Sequence, residues 1–334
     1  MTKSWITRGH EDDDKLHAAL LARLKALQPF GDHTSFEHEK IRDLRPRITA
    51  LEQDAVQKIM RAYQSGPHTK RALSDALVKV IEVAAQPLNR YFAAPNASGD
   101  VLGFNPANEA RDEVREIIRA GLATLKTKMP IITDRPQSDV EQTLRYANRF
   151  WLVSPVDAID HDDASISIAL IDRGKPIAGV VHFPKLGRTY AGTVGDNGFA
   201  LAKTAHRTRK IHVKLREDFR RVAATDHNAG TSNAFADLRR THHVKRRFAE
   251  ASAPYGLCRM AQGTLDAYLE TDLVQQAAVA ASHAVLSAAG GTLMAMDGKP
   301  VTYGPQGRVL ALPPFVAGSD EDALKARYIA RLVA

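Results

Sequence analysis

The chain has 334 residues, 44% hydrophobic and 25% charged, with 46 Lys and Arg against 38 Asp and Glu for a formal charge of +8. This is an ordinary folded globular protein with room for two sizeable cores, and the positive balance suits anionic partners without choosing among them. Its single cysteine, Cys258, excludes an intrachain disulfide framework, and no apolar run approaches the roughly 20 residues of a membrane span.

With no signal peptide apparent, a reducing cytoplasm is the expected location. Residues 1–70 read as a helical extension. Asp12, Asp13 and Asp14 stand where a helix N-terminus favours negative charge, and Leu16, Leu20, Leu24 and Leu27 follow at helical spacing. A second helix runs from about Phe36 to Tyr63, bent near Pro46, and Ser65-Gly66-Pro67 closes it. The apolar face of this hairpin either caps the chain's own core or forms an oligomer or partner surface.

Residues 71–209 then alternate helices and strands. Leu73 to Phe92 and Asn108 to Lys126 read as amphipathic helices, joined by a turn-rich stretch from Pro95 to Asn105. Met129 to Ile132, Arg149 to Val153, Ile166 to Ile171, Ile177 to Phe183, Thr189 to Thr193 and Gly198 to Leu201 read as strands, with Arg173-Gly174-Lys175-Pro176 as a hairpin turn. This predicts an α+β lobe with an antiparallel sheet. Residues 210–334 predict an α/β lobe: strands at Arg221 to Thr225, His243 to Phe248 and Leu265 to Leu269, and helices at Asn233 to Arg240, Tyr255 to Gly263 and Leu273 to Ala289. Gly290 and Gly291 stop the last helix.

The chemistry concentrates after Trp151-Leu152-Val153, where Pro155 is expected to break the ladder for want of an N–H. Asp157, Asp160, His161, Asp162 and Asp163 follow. Such a loop is either a solvated acidic turn or a site for one hard cation, with Asp160 as a possible substitute ligand.

The stretch Trp151-Leu152-Val153-Ser154-Pro155-Val156-Asp157-Ala158-Ile159 resembles the WLVDPLDGT signature of the inositol monophosphatase-like superfamily of Mg²⁺-dependent phosphatases. Of its branches, the chain most resembles the CysQ-type 3′(2′),5′-bisphosphate nucleotidases. Ile166 to Pro184, Ala278 to Val285, Gly290-Gly291 and Asp297-Gly298-Lys299-Pro300 extend the likeness over roughly residues 71–312. The resemblance implies an alternating αβαβα sandwich. It also implies two or three Mg²⁺ held by carboxylates from four motifs, with a Thr hydroxyl and an acid activating water.

Carried over residue by residue, that site is depleted. In the stretch Pro106 to Arg111 matching PVTxAD, the acid is Arg111; in Thr133-Asp134-Arg135, Asp134 keeps a first ligand and Arg135 replaces the second acid. Ser154 stands for the first Asp of the central loop, Asp157 keeps the second, and Ala158 and Ile159 replace Gly-Thr, so the activating hydroxyl is gone. In the register of the WDxAA motif, Ala277 and Ala278 replace Trp and Asp, and Asp272 would need a register shift to serve. Ser252-Ala253-Pro254 replaces the Gly-Ser-Ser stretch of the nucleotidase branch.

Five acidic positions thus become one Arg, two Asp and two neutral residues, and the formal charge falls from −5 to −1. A guanidinium roughly 4 Å from a divalent ion opposes it by about 2 kcal/mol even in water. The expectation is a catalytically impaired pseudo-phosphatase that works by binding or assembly, with no cofactor unless Mg²⁺ finds a rearranged site. Two alternatives stay open: an active Mg²⁺-dependent phosphatase acting on a small phosphorylated metabolite, 3′-phosphoadenosine 5′-phosphate or an inositol phosphate, and a metal-free phosphate binder using Arg111, Arg135 and Ser154. His283 reads as a packed core histidine and Cys258 as an inert buried thiol. The basic runs Lys203 to Arg221 and Arg239 to Arg247 lack interleaved aromatics, so the expected partner is a protein, or a second copy through the N-terminal helices, rather than nucleic acid.

Overall fold

The strand containing Trp151 is the second of a seven-stranded sheet whose spatial order follows the chain, from β1 to β7. In the computed structural model the described residues are 69–93, 105–125, 129–133, 148–215, 221–225, 246–248, 252–304 and 310–325. The sheet comprises β1 (Ile131–Thr133), β2 (Arg149–Asp157), β3 (Ser165–Asp172), β4 (Lys175–Phe183), β5 (Arg188–Thr193), β6 (Phe199–Lys203) and β7 (Thr208–Ile211). β1 runs parallel to β2, and every later neighbour is antiparallel.

Its central strands are buried on both faces, which is why β2 and β3 read as nearly unbroken apolar runs. Phe150, Leu152, Ala169, Val181 and Tyr190 join a core shared with two helices, α4 (Ala253–Ala261) and α5 (Gln276–Ala288). The alternating residues Trp151, Val153, Ile168 and Val180 are buried on the other face. There pack α1 (Thr69–Ala84), α2 (Gln86–Ala93) and α3 (Pro106–Thr124), with α1 and α3 in contact with the sheet.

The backbone of α5 lies almost on the sheet because two glycines face it. Gly179 and Gly192 are ladder partners on β4 and β5. A Cβ at Gly179 would stand 2.4 Å from the Ala281 carbonyl oxygen, and one at Gly192 would stand 2.8 Å from the Val285 Cα. A second sheet covers the far side of α4 and α5, in the order β12 (Thr292–Ala295), β14 (Phe315–Gly318), β10 (Ala267–Glu270), β8 (Arg221–Thr225), β9 (Arg246–Phe248). The short α6 (Glu321–Leu324) packs against β14. A two-stranded pair, β11 (Val274–Gln275) with β13 (Ala311–Leu312), leads into α5. Helices and sheets therefore alternate in layers, as expected.

Residues 60–334 group as one compact unit. The boundary expected at 209/210 falls inside β7, and one buried cluster spans both sheets and the helices between them. The two helices expected in residues 1–70, the helix at Asn233 to Arg240 and the start of the strand at His243 lie outside the described residues. No described helix is long and apolar enough to cross a membrane.

Four expectations are corrected. The single helix from Leu73 to Phe92 is two, α1 and α2, parted at Ala85 just before Pro87. β2 does not stop at Pro155. It continues to Asp157 through a bulge between Ser154 and Asp157, where the ladder skips and no proline N–H is required. β7 is not among the expected strands; its Thr208, Arg209 and Lys210 are exposed, and an edge strand tolerates such cations. Finally, α5 begins at Gln276, since Val274 and Gln275 pair with β13 and Leu273 is exposed.

Candidate functional site

The parallel pairing of β1 with β2 sets Thr133 opposite Val153, so both strands run toward the same end of the sheet and β2 continues past β1 to Asp157. Asp134 and Arg135, which follow Thr133, lie outside the described residues. Ser154 is the last regular pair of β2, opposite Ser167 on β3, and directly opposed residues share a face. The Ser167 hydroxyl donates to the Ala277 carbonyl at 3.1 Å. Ser154, Ser167 and the first turn of α5 thus form one buried neighbourhood, in which Ser154, Ala277 and Ala278 are each at most 5% exposed. Ser154, Ala277 and Ala278 carry no carboxylate into it.

Beyond the bulge, Ala158 adopts φ +50°, a left-handed conformation that suits glycine. Its carbonyl accepts from the His161 amide at 2.9 Å, closing the turn. Asp160, His161 and Asp162 are exposed. Asp163 points inward, and its carboxylate accepts from the Ser252 amide at 2.6 Å, at the start of α4. A carboxylate at a helix N-terminus is favourable, so this acid ties the loop to α4. Among the described residues no three His, Cys, Asp or Glu side chains gather closely enough to hold a metal ion.

Arg111 is on the second turn of α3, whose start is fixed by Asn105 accepting from the Asn108 amide and by Pro106 in the first turn. Its guanidinium donates to Asn108 Oδ1 at 3.1 Å, while its Nε is buried with no partner among the described residues. Asp157 and Ile159 are both half-buried.

Sequence reading missed two features. Glu270, at the end of β10, is buried; its carboxylate accepts from the Tyr268 hydroxyl at 3.2 Å and the Asp272 amide at 3.3 Å. An acid closing an otherwise apolar strand was the signal available for it. Gln276, the first residue of α5, is fully buried, and its side chain donates to the Gly304 carbonyl at 3.0 Å and accepts from the Gly304 amide at 2.9 Å. Nearby, His283 Nδ1 lies 3.0 Å from the Tyr303 hydroxyl, and burial lowers the imidazole from 6.5 to about 4. Cys258 is fully buried, which pushes its thiol up. His283 and Cys258 are core residues, as read from the sequence.

Comparisons with known proteins agree with this architecture. The 3′(2′),5′-bisphosphate nucleotidase CysQ of Escherichia coli O157:H7 is 26% identical over 247 residues, 71% of this chain and 91% of that protein. That of Haemophilus influenzae is 23% identical over 273 residues, 79% of this chain and 92% of that protein. Among solved structures, CysQ from Bacteroides thetaiotaomicron superposes with a TM-score of 0.64 at 19% identity, covering 75% of this chain and 98% of that one. Inositol monophosphatase II from Staphylococcus aureus gives 0.62 at 17% identity, covering 78% and 94%. The model of the inositol monophosphatase family matches residues 53–333, and with that match the chain belongs to the inositol monophosphatase family.

Proposed function

We propose that this chain is a catalytically impaired member of a phosphatase family, working by binding or assembly rather than hydrolysis. One observation carries the reading: Ser154 pairs with Ser167 on the ladder, Ser167 donates to the Ala277 carbonyl, and Ser154, Ala277 and Ala278 are all buried. Hard divalent ions are held by several fixed carboxylate oxygens. The Ser154 hydroxyl and the Ala278 methyl stand here in place of carboxylate oxygens, and Arg111 adds positive charge on α3. These residues do not fit a pair of magnesium ions. Ile159 has no hydroxyl with which to orient a water. The test is direct titration of Mg²⁺ into the full chain, with and without inorganic phosphate. The account expects no saturable binding and no thermal stabilisation. Tight binding lost in Asp157→Asn would contradict it.

A second reading, a metal-free phosphate binder, is favoured by the buried Arg111 Nε, which has no partner among the described residues, since the planar guanidinium fork matches phosphate oxygens. It expects stabilisation by 3′-phosphoadenosine 5′-phosphate in the presence of EDTA, lost in Arg111→Ala. The activity named for the CysQ relatives favours a third, an Mg²⁺-dependent phosphatase with a rearranged ligand set.

A further inference from the structure

A second cluster of positive charge sits far from Ser154, at the other side of the seven-stranded sheet. One continuous row of ladder partners runs Ser154, Ser167, Val181, Tyr190, Ala202, Arg209. Directly opposed residues share a face, so Tyr190 and Arg209 point to the same side as Ser154. At the usual strand spacing they are about 14 Å and about 24 Å away from it.

At that end of the row lies a cleft of about 230 Å³, lined by Arg188, Tyr190, Arg207, Arg209 and Gln262. Lys203 also borders it but is committed elsewhere, in an ion pair with Glu82 of α1 at 2.6 Å. Arg188, Arg207 and Arg209 are exposed and make no ion pair with any described carboxylate.

Two ordinary explanations fall short. Cations often cluster against the carbonyls that end a helix, and α4 ends here at Gln262. Those carbonyls are already engaged: Cys258 accepts from the Gln262 amide, Met260 from the Gly263 amide, and Arg259 from both the amide and the hydroxyl of Thr264. Cations also guard edge strands from pairing, and β7 is an edge strand. Guarding does not require them to share a concavity, nor to face Gln262. The Gln262 oxygen accepts from the Tyr190 hydroxyl at 2.8 Å, which leaves the amide NH₂ as the group it can offer a ligand. The lining therefore presents donors and positive charge.

We propose that this cleft binds a small molecule bearing a diphosphate or two closely spaced phosphoryl groups, independently of metal and of the family's ancestral site. Charge balance selects that class. A phosphate monoester carries roughly −1.5 to −2 at neutral pH, so a single one leaves the three guanidiniums under-neutralised, whereas two balance them. The volume lies below the roughly 300 Å³ at which pockets for drug-sized ligands begin, so the site holds the charged head and leaves any organic remainder in solvent. Guanidinium forks supply paired N–H donors to the phosphoryl oxygens.

Calorimetric titration of the full chain with inorganic pyrophosphate, in EDTA at low ionic strength, tests this. Expected is saturable one-to-one binding, weakened about tenfold or more by Arg188→Gln and by Arg209→Gln, and unchanged in Arg111→Ala. Orthophosphate should bind at least about tenfold more weakly. Both arginines are exposed, and unchanged circular dichroism verifies that the variants fold. No saturable binding, equal affinity for orthophosphate, indifference to both arginine variants, or loss in Arg111→Ala would each overturn the proposal. The last outcome would assign the anion to the ancestral site instead.

Discussion

The hydroxyl of Ser167 on β3 donates to the carbonyl of Ala277 at the head of α5, 3.1 Å away. This bond fixes α5 against the sheet at the place where Ser154 completes its last ladder pair. Ser154 therefore sits in a regular ladder position, held beside the strand that anchors the head of α5.

That site can be tested by giving it carboxylates. Ser154 and Ala278 are 4% and 3% exposed, so aspartates introduced together at both positions would be buried like charges. Without metal the double variant Ser154→Asp, Ala278→Asp should lose about 3 kcal/mol or more of stability. Adding Mg²⁺ should then raise its Tm, since a cation relieves the repulsion, while the parent chain should not respond. An Mg²⁺ effect of equal size in both proteins would mean that the parent already holds the ion.

The glycine floor under α5 predicts a large effect from a single methyl group. Gly179→Ala places a Cβ against backbone, 2.4 Å from the Ala281 oxygen, so the helix must lift. The expected loss is about 1–3 kcal/mol, read as a lowered denaturation midpoint. An unchanged midpoint would show that α5 does not rest on β4 as described.

Stability should fall with acid in a defined window. Burial lowers His283 from 6.5 to about 4. His182 is lowered to about 4 by burial and then by the charge of Lys203. Each imidazole is kept neutral in the fold, so the unfolded chain binds more protons between those values. Their contribution is complete above pH 6.5, declines as the pH falls to about 4, and is then exhausted. For His283 the whole loss approaches about 3 kcal/mol. Urea unfolding across that range should show the slope, and His283→Gln should remove about one proton's worth of it.

The sequence carried most of the layers, for identifiable reasons. Two-sided burial made β2, β3 and β4 visible as apolar runs, and the Arg173-Gly174 turn was legible because glycine permits the positive φ of 75° found there. Gly290, at φ 89°, ends α5 where the Gly pair predicted. What stayed hidden depends on contacts between distant residues. The bulge that lets β2 pass Pro155 is set by its pairing with β3. The clasp of Gln276 on Gly304 joins a side chain to backbone 28 positions away, where no side-chain pattern exists to be read. At the site, the burial of Ser154 and Ala278 followed from the apolar strand and helix that carry them. The inward turn of Asp163 to Ser252 was not legible, because it takes an acid out of a loop that looked uniformly solvated.

Phosphate release is the sharpest test of the proposal that this site no longer supports metal-dependent hydrolysis. Purified full-length chain is incubated with Mg²⁺ and 3′-phosphoadenosine 5′-phosphate, and in parallel with inositol 1-phosphate, beside Asp157→Asn. The account predicts release no faster than from the variant with either compound. Mg²⁺-dependent turnover that Asp157→Asn abolishes would contradict it.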